Sequence, residues 1–414
     1  MKKKLIVIGG GAAGFFCAVN AAAQNVELEV IIVEKTGKYL SKVRVSGGGR
    51  CNVTHACFSI AEMVKKYPRG AKFLKRAFHH FFTPDTIEWF EKRSVKLKTE
   101  ADGRMFPESN SSGTIIDCLL HEANKYRVDI LMNREAINIE KISFEGNETN
   151  FKVTFRDDSF LISDFVCIAC GGYPKSIQYN WLTSLGHHFE EPVPSLFTFN
   201  IPKNPISELM GISVENVQVK INGTKFFQRG PLLITHWGFS GPAVLKLSAF
   251  AAIELSRMNY DFSISINWLS NYNENSLLER LKTIRHELAS KKIINKNPFD
   301  LPQRLWQYHL HQCGISPEIR WADLPAKQQN QLAKQLCDQQ FQVKGKTTFK
   351  EEFVTAGGIN LNEIDANTMQ SKIVPGLFFA GEILNVDGIT GGFNFQHAWT
   401  AGWIAAKAIG ESGN

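Results

Sequence analysis

The 414-residue sequence is short of several things, and each shortage narrows its chemistry. It has only eight cysteines, scattered at Cys17, Cys51, Cys57, Cys118, Cys167, Cys170, Cys313 and Cys337. So few in so long a chain imply no disulfide framework. Cys167-x-x-Cys170 has nominal metal or redox spacing, but it lacks a partner pair and sits in a strand pattern; no metal site is expected. No apolar run approaches the length needed to cross a bilayer, so no membrane partner is expected. The opening Met1-Lys2-Lys3-Lys4 is basic, yet the apolar stretch behind it breaks at Gly9–Gly11. No cleavable signal is therefore expected, and a cytoplasmic location follows. There is no internal repeat, no low-complexity segment and no recognised nucleic-acid-binding motif. Net charge is +7, part of it gathered in Lys65, Lys66, Arg69, Lys72, Lys75 and Arg76 before His79-His80. Without a motif beside it, that cluster reads as a solvated helix face, and no nucleic-acid partner is expected.

What is present is concentrated at the start. Hydrophobic residues make up 43% and charged residues 21%, enough for a sizeable core, and the length suggests two or three domains. Leu5–Ile8 is an apolar run suited to a strand buried on both faces. Gly9-x-Gly11-x-x-Gly14 follows, then a small-residue helix over Phe15–Ala23. Gly9 permits the tight turn, Gly11 lets backbone approach a pyrophosphate, and Gly14 lets helix pack on strand. The helix start offers unpaired N–H groups of Gly9, Gly11, Ala12, Ala13 and Gly14 to phosphates. A second apolar run ends in Glu34, twenty residues after Gly14, with Lys35 beside it. A carboxylate there suits adenosine ribose hydroxyls and would repel a 2′-phosphate.

Residues 1–191 read as α/β, with helical patterns near 60–80, 84–93 and 112–126. Strands are expected at Asp129–Met132, Ala136–Ser143, Phe151–Arg156, Phe160–Ile162 and Phe165–Ala169, the last three alternating like antiparallel strands. Prolines cluster at Pro192, Pro194, Pro202 and Pro205. Beyond them lies a segment of different character, 192–350. It is β-rich over 192–270, with an Asn222-Gly223 hairpin running into a strand at Thr224, and helical over 271–345. From Phe353, glycine-ended strands resume, and residues 351–414 are expected to rejoin the first domain. They carry the strand-and-acid end Gly381-Glu382 and a helix from about Gly392 to Ile409.

The segments GGGAAG, SGGGRCNVT, GRMFP, THWGFSGP, VTAGGI and FFAGEILNVDGITGGFNFQHAWTAG together resemble the BaiN-like, aminoacetone-oxidase-like flavoproteins of the two-dinucleotide-binding flavoprotein superfamily, from residue 1 to about 410. The resemblance implies an α/β fold in which a Rossmann-like FAD-binding domain is interrupted by an inserted β-barrel plus helical domain. It also implies bound FAD. Members are linked to reduction of steroid carbon–carbon double bonds or carry an amine-oxidase label, so the substrate stays open. Cys170 and Asn385 stand where the family commonly has threonine and aspartate.

On this reading Ser46, Gly47, Gly48, Gly49 and Arg50 add N–H donors and a guanidinium for phosphate, within a motif that continues through Cys51 and Asn52. Ala136 and Ile137 give backbone contacts to adenine, as the family implies. Gly171 and Gly172 end one strand, Gly381 and Glu382 another. Asp387, Gly391, Gly392, Phe393 and Asn394 are expected at the flavin pyrimidine end. There a helix start with Gly391 and Gly392 N–H groups uncovered would favour anionic reduced flavin. Arg104 and His236 are the candidate catalytic residues, and His397 reads as a satisfied helix histidine. Cys51 and Cys57 are spaced differently from a flavin disulfide reductase pair, so a redox disulfide is not expected. No second glycine fingerprint occurs over 145–250, so NAD(P)H, if used, reaches the flavin transiently. The expected activity is FAD-dependent hydride transfer to or from a small organic substrate at the interface of FAD domain and insert. The alternatives are an RNA-modifying flavoenzyme or a non-enzymatic flavin-bound redox sensor.

Overall fold

The computed structural model describes residues 2–143, 149–348 and 354–412. They divide into two units: one comprises the chain up to Ser195 together with its C-terminal part, the other Leu196–Thr348. Phe353 and the expected boundary at 350/351 lie outside the described residues.

The first unit is built on five parallel strands: β1 (Lys4–Ile8), β2 (Glu29–Glu34), β3 (Asp129–Met132), β4 (Phe165–Ile168) and β5 (Leu377–Phe379). Their order is β5-β4-β1-β2-β3, so the strand nearest the C-terminus pairs with β4. The antiparallel assignment of Phe165–Ala169 is corrected here, since β4 pairs in parallel with both β1 and β5. Burial explains the difference. Val166, Cys167 and Ile168 are fully buried, as a central parallel strand covered on both faces requires. The meander proper is Ala136–Ser143, Thr149–Phe155 and Phe160–Ser163.

Helices α1 (Ala12–Gln24), α2 (Ser112–Lys125) and α3 (Phe393–Ser412) pack around this sheet. Small residues let α1 and α3 cross closely: a Cβ on Gly402 would lie 2.7 Å from the Ala13 carbonyl oxygen. Phe16 fills the space beside the crossing, its ring 4.5 Å from Trp89 and 5.1 Å from Trp399. The helical pattern over 60–80 is two short helices, Ile60–Val64 and Ala71–Ala77. Pro68 and Gly70, the latter at φ +79°, interrupt it.

The second unit is a seven-stranded antiparallel sheet with helices Pro242–Phe250, Glu274–Glu287, Gln303–Gln312 and Ala326–Cys337. The strands at the two ends of the sheet order, Gln339–Lys344 and Lys346–Thr347, are neighbours in sequence, separated by Gly345. Two expectations change here. Gln339–Lys344 is strand rather than helix. The hairpin between Ser213–Ile221 and Phe227–Thr235 also has a wider turn than Asn222-Gly223, so Thr224 is not in a strand. Trp268, Trp306 and Trp321 are buried in this unit's core. Among the described residues no helix is long and apolar enough to cross a membrane.

Candidate functional site

The sheet order reverses direction at β1, which has β2 on one side and β4 on the other. Ligands of open α/β sheets bind at the carboxyl ends of strands at such a point, and the glycine fingerprint lies there. Gly9, at φ +115°, donates its N–H to the Val33 carbonyl at 2.8 Å, and a Cβ on it would lie 2.4 Å from the Ala169 oxygen. A Cβ on Gly14 would lie 1.9 Å from the Gly9 oxygen, so this glycine seats α1 against the turn. Gly11, the cap of α1, differs: nothing lies within 4 Å of where its Cβ would point. One glycine turns, one packs, and one faces open space.

A cavity of about 340 Å³ runs along the ends of β1 and β2. Gly9, Glu34, Lys35, Ala136, Ile137 and Cys170 line it, all but Cys170 named from the sequence as cofactor residues. Sequence reasoning missed Arg134, Tyr173, Gln178 and Trp181, which also line it. Arg134 and Tyr173 lie in loops after β3 and β4, and Gln178 and Trp181 in the short helical turns Ser176–Tyr179 and Asn180–Thr183, too brief to leave a periodic signal. The Gln178 Oε1 is buried without a hydrogen-bond partner. An orphaned acceptor beside a cavity of this size fits a polar ligand such as adenosine. Glu34 is pre-set at the cavity edge: its Oε2 accepts from the Gly10 N–H at 2.9 Å, and its Oε1 from the Thr36 N–H and hydroxyl, each at 2.9 Å. A carboxylate has about four acceptor positions, so ribose hydroxyls could still be received.

The second glycine segment departs from helix inside Ser41–Gly49, with Ser46 extended and Gly47 and Gly48 left-handed. A Cβ on Gly47 would strike the Phe106 ring at 2.7 Å, whereas Gly48 and Gly49, like Gly171, face open space. Arg50 is engaged by protein: Nη1 donates to Glu100 at 2.5 Å, and the guanidinium lies 3.9 Å from the centre of the Phe106 ring. Arg104 donates to the other oxygen of Glu100 at 3.1 Å and to Asp102 at 2.7 Å. The two arginines therefore share one carboxylate. Cys51 is fully buried and burial pushes its thiol up to about 12. A thiol held neutral is no redox nucleophile.

The start of α3 corrects the sequence reading in three places. Asp387 is completely buried, its carboxylate paired with the Arg69 guanidinium and accepting from the Ser195 hydroxyl at 2.9 Å. It is a structural tie rather than a free flavin contact, because a buried carboxylate must be paired. The Asn394 amide closes on Gly388 from both sides, at 2.7 and 3.0 Å. The Gly392 N–H is not uncovered: it donates to the Asn52 Oδ1 at 2.9 Å, with that amide oriented to satisfy both its neighbours. A Cβ on Gly392 would lie 2.5 Å from the Thr54 oxygen. Phe393 is buried, and its ring stacks on His55 at 4.7 Å.

His55 was not singled out from the sequence. It pairs across a strand with Arg104, and its Nδ1 lies 3.1 Å from the Gly391 carbonyl. One short sheet thus brings His55 to the Gly391 loop, with Arg104 as its cross-strand neighbour. Gly381, at φ +77°, packs against Ala13, while Glu382 accepts from the Thr355 N–H at 2.9 Å and from Lys42 at 2.5 Å. Gly172 packs against Thr355. His397 Nε2 meets the Gly381 carbonyl at 3.1 Å, and burial pulls the ring down to about 4, so it is neutral. Its Nδ1 has no partner, so the ring is only half satisfied. His236 is exposed in a turn of the second unit.

The chain belongs to the HI0933-like protein Rossmann domain family, which matches residues 3–408. It is 30% identical to a ribosomal RNA dihydrouridine synthase of Escherichia coli (strain K12), over 98% of this chain and 97% of that one. It is 25% identical, over 98% of both chains, to a 3-dehydro-bile acid delta(4,6)-reductase of Clostridium scindens. The solved structure of 3-ketosteroid delta1-dehydrogenase from Sterolibacterium denitrificans shares the fold, with a TM-score of 0.52 over 99% of this chain and 100% of that one at 13% identity.

Proposed function

We propose that this chain is an FAD-dependent reductase of a carbon–carbon double bond conjugated to a carbonyl, and that its substrate is a uracil base of ribosomal RNA. The observation that carries this reading is the end-to-end relationship to the Escherichia coli rRNA dihydrouridine synthase. Dihydrouridine is uridine with two hydrogens added across a ring double bond conjugated to a carbonyl. The name of the bile-acid relative describes the same chemistry on a different ring. When bound, FAD supplies the hydride equivalent for such a reduction.

The residues of this chain divide the remaining work. Gly11, Gly48 and Gly49 leave backbone open for the pyrophosphate, Glu34 receives ribose, and Gln178 and Tyr173 border the adenine end. Arg104, held in line by Glu100 and Asp102, is the cation we assign to the substrate carbonyl, where negative charge develops as hydride arrives. His236 is retained as a second candidate. NAD(P)H is the proposed electron donor. The strand order of the second unit, with its two ends joined through Gly345, supports a barrel.

The test is incubation of the purified protein with NADPH and protein-free ribosomal RNA, followed by nucleoside mass spectrometry. Dihydrouridine is the expected product. The bile-acid relative favours a second reading, a small ring enone as substrate; turnover of a 3-oxo-4,6-dienoic steroid without any effect on RNA would replace the first with the second.

A further inference from the structure

The basic segment 65–80 is joined to the loop that opens α3. The Lys66 carbonyl accepts from the Ile389 N–H at 3.0 Å, and Arg69 both bridges to Asp387 through backbone and pairs with its carboxylate. Gly70 packs on Val386, and the Tyr67 hydroxyl donates to the Phe393 carbonyl at 2.7 Å. Residues 66–70 therefore brace residues 386–393 along their length.

The same segment sorts its side chains by helical period. Met63, Tyr67, Phe73, Leu74, Ala77 and Phe78 are buried. Lys65, Lys72, Lys75, Arg76, His79 and His80 are exposed. Lys65 is neutralised by Glu62 at 2.6 Å. Among the described residues, Lys66, Lys72, Lys75 and Arg76 have no carboxylate within ion-pair distance. A solvated helix face ordinarily mixes both signs, as Glu279–Lys282 and Glu88–Lys92 do elsewhere in this chain. Here one sign stands alone, on the segment that braces residues 386–393.

We infer that Lys72, Lys75 and Arg76 form a docking surface for the phosphate backbone of RNA, which delivers a base to the adjoining Gly388–Phe393 loop. This rests on the reading of RNA as the substrate. Cations spaced along a rigid helix neutralise successive phosphates without reading sequence, so the surface supplies affinity and register.

The test uses the full-length FAD-loaded protein and a fluorescein-labelled RNA hairpin with uridines in its loop, with Kd measured over a range of KCl concentrations. The triple variant Lys72→Gln/Lys75→Gln/Arg76→Gln is expected to bind about 10- to 100-fold more weakly near 0.1 M salt. Its log–log salt slope should be shallower by about 2 to 3. Flavin content and melting temperature should match wild type, since all three side chains are exposed. A control triple variant, Lys291→Gln/Lys327→Gln/Lys334→Gln, removes equal charge from the second unit and should keep the wild-type slope. Equal losses in both variants would overturn the surface. So would wild-type affinity and slope in the first variant while wild-type protein binds the hairpin and forms dihydrouridine, and the substrate reading would then stand alone. Absence of salt-dependent binding by the wild type would overturn both.

Discussion

Glu34 shows how one side chain can be set before its ligand arrives. Its two oxygens are held by the Gly10 and Thr36 donors, so the carboxylate presents itself at the cavity edge without an ordering cost at binding. Glu34→Ala is expected to weaken FAD retention by about 1–3 kcal/mol, the cost of leaving hydrogen-bonding partners unpaired. Equilibrium dialysis followed by flavin fluorescence measures it, and unchanged retention would remove Glu34 from the site. Cys51 makes the opposite point. With its thiol pushed up to about 12 by burial, Cys51→Ser should leave flavin reduction intact, read by anaerobic stopped-flow absorbance. Gly392 is where the sequence invites a misleading experiment. From sequence alone, Gly392→Val would only distance a helix start from the flavin. With the Thr54 backbone 2.5 Å from the new Cβ, and φ at +89°, the substitution should instead destabilise the fold by more than about 2 kcal/mol. A lowered melting temperature of the flavin-free protein is the expected result.

Two element-level features bear on stability. The first is the tie between the segment before helix Ala71–Ala77 and the loop before α3, centred on Arg69 and Asp387. Arg69→Met leaves a carboxylate buried without its counter-ion and should cost about 3–5 kcal/mol, whereas the double variant with Asp387→Leu should recover part of that loss. Thermal unfolding of the four proteins of the cycle measures the coupling; additive losses would mean the pair is not one unit. The second is a pair of buried histidines, His397 on α3 and His309 on helix Gln303–Gln312. Burial lowers them from the ordinary 6.5 to about 4 and about 3 respectively. Their folded values lie below the unfolded value, so the stability they contribute is complete above pH 6.5. It is lost as pH falls from 6.5 to about 4 for His397 and to about 3 for His309, by about 1.4 kcal/mol per pH unit for each ring. His309→Leu, at a buried ring whose two nitrogens have no hydrogen-bond partner among the described residues, should therefore raise the melting temperature more at pH 5 than at pH 7. Equal shifts at both pH values would contradict the burial argument.

At the scale of the molecule, what was legible in sequence was local and periodic. Leu5–Ile8, the glycine fingerprint and Glu34 sit within 34 residues, and their order alone places strand, turn, helix and acid. The rest of the cavity lining was not legible, because Tyr173 comes from a loop and Gln178 and Trp181 from helical turns of four residues each, which reach it only through tertiary packing. The pairing of Arg69 with Asp387 spans 318 positions and has no local signature. The parallel placement of β4 was hidden because a short buried strand looks alike in either orientation. The proposal that bound FAD reduces a uracil base of RNA is open to a single-turnover experiment. The FAD-loaded protein is reduced with dithionite under anaerobic conditions, freed of excess reductant and mixed with protein-free ribosomal RNA. Flavin reoxidation and dihydrouridine are followed together, by absorbance and nucleoside mass spectrometry. The expected result is reoxidation in step with one dihydrouridine formed per flavin. Flavin that stays reduced in the presence of RNA, and reoxidises only when oxygen is admitted, would rule out RNA as the substrate.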